Sequence, residues 1–143
     1  ADLLLANLTD ADLAEATLTR ANLMRANLTD AKLSGANLTR ANLIRVNLIR
    51  ANLTTADLSK ANLSESDLML TNFSMANLTS AGLWNANLTE ANLSGADLTG
   101  SNLRDANLTG ANLTGAKLSE KQLQHALLCE TTMPDGTLNS SNC

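Results

Sequence analysis

Ala21-Asn22-Leu23-Met24-Arg25 is one copy of a five-residue unit, Ala-(Asn/Asp)-Leu-x-x, that runs without a gap from Ala1 to Glu120. Of its 24 copies, 23 keep Leu at the third position, with Phe73 the substitute. Ala holds the first position in 20, the exceptions being Val46, Ser66, Thr71 and Ser101. Asn or Asp holds the second in 20, the exceptions being Thr17, Lys32, Gly82 and Lys117. A period of five matches neither the helical repeat of about 3.6 nor the strand repeat of about 2. Ala and Leu lie two residues apart, so in extended backbone they share a face, with Asn or Asp between them on the other. The last two residues must then turn the chain. Ser or Thr fills 16 of the 24 fourth positions, and Gly35, Gly95, Gly100, Gly110 and Gly115 stand at the fifth. Glycine tolerates positive φ and hydroxyls bond to nearby backbone, so these residues suit corners. Phe73 and Trp84 are the whole aromatic supply, so a core of Leu and Ala must come from regular stacking.

The length of a coil is a separate question. Arg20, Arg40 and Lys60 recur at intervals of 20, as do Arg25 and Arg45, Asp10 and Asp30, Gly95 and Gly115, and the apolar set Leu4, Met24 and Ile44. Four units per coil account for that spacing, and so does gene duplication. The tandem repeat over residues 1–120 resembles the pentapeptide-repeat proteins. That resemblance implies an all-β fold, a right-handed quadrilateral β-helix with four units per coil and with Leu and Ala inside. Twenty-four units then make six coils. At about 4.8 Å per coil the column is roughly 29 Å long.

The chain opens in repeat phase without a cap. Leu3 and Leu8 face an open end whose unpaired edge invites another chain. A missing N-terminal segment or a homodimer stacked through that end would cover it. Residues 121–143 form a C-terminal cap and tail. Ser119-Glu120-Lys121-Gln122 reads as a capping box opening a short helix to about Leu128, with Leu123, Ala126 and Leu127 on one face. The rival reading continues the repeat phase, since Leu123 and Leu128 still fall at intervals of five. Met133-Pro134-Asp135-Gly136 is a turn signal. The two cysteines, Cys129 and Cys143, are read as a disulfide that closes a loop of about 15 residues and contributes about 3 kcal/mol. The alternative is two free thiols in a reducing cell. A disulfide indicates an oxidising compartment. Leu128 to Gly136 also resembles the C-terminal end of cyanobacterial and plastid members of the family, some of them lumenal or periplasmic. The resemblance therefore implies the thylakoid lumen or the periplasm, with the cytoplasm as the alternative.

Formal charge is −4, unevenly spread. Residues 1–60 carry 7 basic and 6 acidic side chains, and residues 61–143 carry 3 and 8. Neither half demands nucleic acid or a membrane surface. No apolar run approaches the roughly 18 residues of a membrane span, and no signal peptide is present in the chain as given.

Chemistry is hard to place on these residues. There is one His, no Tyr, and no Ser or Cys nucleophile spaced with a base. His125 has no second His or clustered Cys to complete a metal site. Gly110 to Gly115 mimics the start of a phosphate loop, but Ala116 stands where the Lys is needed. No enzyme activity, cofactor or metal is expected.

What exceeds the repeat lies outside. With 20 residues per coil, Arg20 and Arg40 stack with Lys60, and Arg25 stacks with Arg45, with Arg50 on the following face. Met24 and Ile44 run beside Arg25 and Arg45, Trp84 continues that column past Ser64, and Ile49 stacks with Met69. Apolar side chains rimmed by Arg make a candidate partner surface. The competing view is free drift at solvated positions. The leading function is a non-enzymatic scaffold presenting rigid faces to a protein partner. Some members of the resembled family mimic DNA and protect type II topoisomerases, which implies strong acidity along the column. A third reading uses the hydroxyl column Thr19, Thr39, Ser59, Thr79, Thr99 and Ser119 to order water or ice.

Overall fold

The computed structural model describes residues 1–143. Each second-position residue bridges in parallel to the residue 20 positions on, without interruption from Asp2↔Asn22 to Asp97↔Lys117. The spacing of 20 is therefore geometric. The chain is a right-handed quadrilateral β-helix whose coils hold four units each. Face one of the first coil holds Ala1 to Leu5, and the other faces follow in steps of five.

The units from Ala1 to Gly95 make the same bonds, except that Ser66 N–H does not bond to Leu63 C=O. Leu3 N–H donates to Asn22 C=O at 2.7 Å, Leu5 N–H to Met24 C=O at 3.1 Å, and Asn22 N–H to Ala1 C=O at 2.9 Å. A fourth bond, Ala6 N–H to Leu3 C=O at 3.0 Å, closes the corner. The third residue of that turn has positive φ, as a type II turn requires. This holds at every fifth position from Leu5 to Gly115, and 18 of these residues are not glycine, with φ between 54° and 60°. Arginine, aspartate and leucine thus turn the chain as glycine does, although glycine alone signals it in the sequence. The ladder and the turn bond fix φ and offset a left-handed cost of about 1 kcal/mol per residue.

The Asn/Asp row supports the same corner. Every one of these 20 side chains accepts a hydrogen bond from the N–H two residues on, as Asn52 Oδ1 does from Thr54 at 3.0 Å. That is an Asx turn, which pre-shapes the corner. The Thr54 hydroxyl donates to the same Asn52 oxygen at 2.6 Å. Corner hydroxyls of this kind serve the amide side chain rather than the backbone. Amides of successive coils bond directly at fewer places, such as Asn42 to Asn22 at 3.3 Å.

Leu and Ala fill the interior, and Phe73 fits in the Leu row with no exposure. Polar residues in the Ala row find partners there. Ser66 Oγ donates to Leu43 C=O and Thr71 Oγ1 to Leu48 C=O, both at 2.7 Å.

At the base, α1 (Glu120–Leu123) is a single turn. It ends well before Leu128, because the repeat resumes: Leu127 bridges to Asn107 and Thr132 to Asn112. Ala126, Leu128 and Thr131 return to the interior. The helix reading holds over one turn, and the repeat-phase reading holds after it. α1 removes the bridge that residue 122 would make to Asn102, and the Gln122 side chain replaces part of it. Its Nε2 donates to Ser101 C=O at 2.9 Å and Leu98 C=O at 2.7 Å, while its Oε1 accepts from Ser119 N–H at 2.9 Å. β1 (Thr131–Thr132) then pairs antiparallel with β2 (Leu138–Asn139), reversing the chain beneath the last coil.

Two substitutions test the corner conformation, the second also removing the exposed hydrogen bond from the Thr55 hydroxyl to Thr54 C=O. An added Cβ at Gly115 meets nothing closer than 4.0 Å, so the cost of Gly115→Ala comes from its φ of 68°. Denaturant unfolding should show a loss of about 1 kcal/mol for Gly115→Ala. Thr55, β-branched at φ 59°, should gain stability of that order as Thr55→Gly.

Candidate docking face

A corner residue at the fifth position stands above its counterpart 20 residues on, so each corner carries a column about 4.8 Å in repeat. Like charges stacked at that spacing repel, and opposite charges pair. The structure uses both arrangements.

On the corner after face one, Arg45 reaches Glu65 in the next coil through Nε at 3.0 Å and Nη2 at 2.7 Å. On the corner after face two, Arg50 makes a two-pronged bond back to Asp30 at 2.8 and 2.6 Å. The hydrogen bond from Arg50 holds the Asp30 carboxyl below the usual aspartate range. On face four, Lys117 lies 3.6 Å from Asp97. Arg20, Arg40 and Lys60 behave differently. They occupy one corner in three successive coils, all exposed, and none forms an ion pair. Arg25, one face further on, is also exposed and unpaired.

Face one lies between these corners. Its leading edge is Arg20, Arg40 and Lys60, and its floor is Asn22, Asn42 and Asn62. Its trailing edge is Met24 and Ile44, both partly exposed, followed by Arg25 and Arg45. The Asn22 and Asn42 side chains bond the Met24 and Ile44 N–H groups, fixing floor and edge together. The result is a flat polar strip with cations on both sides and an apolar ridge on one.

The geometry thus brings together Arg20, Met24, Arg25, Arg40, Ile44 and Arg45. Arg45 is partly neutralised by Glu65, while Ile49 and Arg50 lie one face away with Arg50 held by Asp30. Trp84 is 40% exposed but sits two coils below Ile44, beyond Ser64, and its Nε1–H donates to Asp105 at 3.2 Å. Lys60 belongs with the unpaired column. In the hydroxyl column, Thr79 donates to Asn77, so that hydroxyl is already engaged. His125 is exposed, no group of three or more potential metal ligands gathers anywhere, and no helix is long and apolar enough to cross a membrane. Cys129 and Cys143 form a disulfide.

Two roles at the base were not legible in the sequence: the bonds of the capping-box residue Gln122 to Ser101 and Leu98, and the contacts of Asn142. The capping-box reading marks Gln122 and the bond from Ser119 N–H to its Oε1 bears that out, while its place at the Asn position of the unit Lys121–His125 is the further signal for its bond to Ser101.

A family model of pentapeptide repeats matches in overlapping segments covering residues 6–142. A pentapeptide repeat protein from the cyanobacterium Cyanothece 51142, Rfr23, is 44% identical with a TM-score of 0.59, over 59% of this chain and 58% of that one. The match therefore spans a little over half of that protein's length. HetL, a pentapeptide repeat protein involved in heterocyst differentiation regulation from Nostoc sp. Strain PCC 7120, is 36% identical over 96% of this chain and 68% of its own, with a TM-score of 0.42. A pentapeptide repeat protein from the Arabidopsis thaliana thylakoid lumen is 33% identical over 94% of this chain and 83% of its own, with a TM-score of 0.29. A search of curated proteins finds no match.

The Asp30–Arg50 pair gives a direct test of the column register. A carboxyl held below its unfolded value adds stability above that value and loses it as pH falls through the folded one. NMR titration of Arg50→Met should move the Asp30 midpoint upward, towards the ordinary aspartate value, and leave Asp97 unchanged.

Proposed function

Because the chain belongs to the pentapeptide-repeat family, we propose that it is a non-enzymatic scaffold whose face one docks an acidic surface of a protein partner. One observation carries this reading: Arg20, Arg40 and Lys60 are stacked without counter-charges, while Arg45 and Arg50 each have a carboxylate in the adjacent coil. A column that neutralises two of its arginines and leaves three aligned cations bare maintains a repulsion that a docked acidic partner would relieve. Met24 and Ile44 add apolar contact beside the charge, and the ladder beneath keeps the strip rigid, so little ordering entropy is lost on binding.

The DNA-mimic reading has less support. Mimicry wants continuous acidity, and among the corner columns the longest stretch of neighbouring carboxylates is Asp10 and Asp30, the latter tied to Arg50. The disulfide supports an oxidising compartment, the thylakoid lumen or the periplasm, as the site of action.

Crosslinking capture with the folded chain tests the docking face. A partner held by the wild type should be lost by Arg20/Arg40/Lys60→Glu, released by high salt, and retained by Arg50→Glu and after nuclease treatment. A partner equally retained by the triple variant would overturn the assignment of this face.

A further inference from the structure

The tail beneath the last coil imitates a strand that is not there. In every unit from Ala1 to Gly95, the third-position N–H donates to the second-position C=O of the coil below, the fifth-position N–H donates to the fourth-position C=O there, and the first-position C=O accepts from the second-position N–H. For the unit Ala126–Glu130 no such coil follows, and three side-chain contacts from the reversed tail replace the missing backbone. Asn142 Oδ1 accepts from Leu128 N–H at 2.6 Å, Asn142 Nδ2 donates to Ala126 C=O at 3.2 Å, and Ser140 Oγ accepts from Glu130 N–H at 3.3 Å. One carboxamide thus stands in for one peptide group. The segment reaches this position because Cys143, the neighbour of Asn142, is bonded to Cys129 within the same unit. Above the tail lies a cavity of about 340 Å³ lined by Leu123, Ala126, Leu128, Met133, Asn139 and Asn142. Few apolar contacts hold the tail: Leu138 is 67% exposed and Cys143 is exposed.

We propose that residues 140–143, the stretch beyond the β1–β2 pairing, are a redox-latched plug over a strand-binding edge, and that the edge, once freed, takes an extended segment of a partner polypeptide. The plug itself defines the chemistry of the occupant: acceptors opposite Leu128 and Glu130 N–H and a donor opposite Ala126 C=O, which an extended backbone supplies by β-augmentation. The reductant is a dithiol. Its thiolate attacks the sulfur of Cys143, the more exposed residue of the pair, and Cys129 leaves as a thiolate and takes a proton. The second thiol of the reductant then displaces Cys143, which is protonated in turn. Two electrons and two protons pass to the protein, and the reductant leaves as a disulfide. This proposal concerns the base of the column and is independent of face one.

The test compares oxidised wild type, dithiol-reduced wild type and Cys143→Ser by amide hydrogen exchange, with the coil-three amides of Leu48 and Leu53 as the check on folding. The probe is a labelled decapeptide copying Ala106–Gly115, read by fluorescence anisotropy. Reduction and Cys143→Ser should speed exchange at Leu128 and Glu130 by about 5- to 30-fold, the factor carried by one or two net hydrogen bonds. Both open forms should bind the peptide, and the oxidised form should not. Asn142→Leu with the disulfide intact should expose the Leu128 amide while Glu130 stays protected. Unchanged protection on reduction would overturn the latch. Lost protection without peptide binding would overturn the strand-binding edge.

Discussion

A parallel ladder between coils five residues to a side exists only if the chain turns sharply at every fifth residue. The turn demands positive φ there, and the rest of the structure follows from meeting that demand 23 times in succession. The Ala N–H closes each corner onto the preceding Leu carbonyl, and the Asn/Asp side chain takes the N–H inside it. The local bonds hold the corner, and the corner sets the register that lets the next coil bond. Local and long-range preferences therefore agree at each step, which is what a uniquely folded repeat needs.

With the interior fixed by Leu and Ala, variation is confined to the corners and the midline of each face. The same stacking that orders the core also aligns whatever stands outside. A cation over a carboxylate becomes a pair, as at Arg50 and Asp30, and a cation over a cation becomes an unneutralised strip, as at Arg20 and Arg40. Exposed pairs of this kind contribute little to stability. Their interest is in how they divide one face, which keeps its charge, from its neighbours, which neutralise theirs.

A stacked ladder must also end. At the base the chain leaves the repeat through one helical turn and returns to it, and in both places a side-chain amide completes bonds that backbone made in every coil above. Gln122 does this for Ser101, and Asn142 does it for Ala126 and Leu128. An amide side chain carries the donor and acceptor of a peptide group and can reach an edge where the main chain has turned away.

The sequence by itself determined the inward Leu and Ala rows, the outward Asn row and the corner in each unit, because a period of five with two apolar residues two apart has one economical solution in extended backbone. It also held the column register in its spacing of 20, without separating geometry from duplication. Only the tertiary structure decided that arginine and aspartate take positive φ as glycine does, since the ladder to residues about 20 positions away acts there together with the local turn bond. The same is true of which cations are paired. Arg20 and Arg50 read alike as letters, and the coil above or below each decides its charge environment. The end of α1 at Leu123, the bond of Gln122 to Ser101 and the role of Asn142 were hidden for a related reason: they depend on which backbone groups the last coil leaves open, and no local pattern records that, although the capping box did record the bond of Gln122 to Ser119.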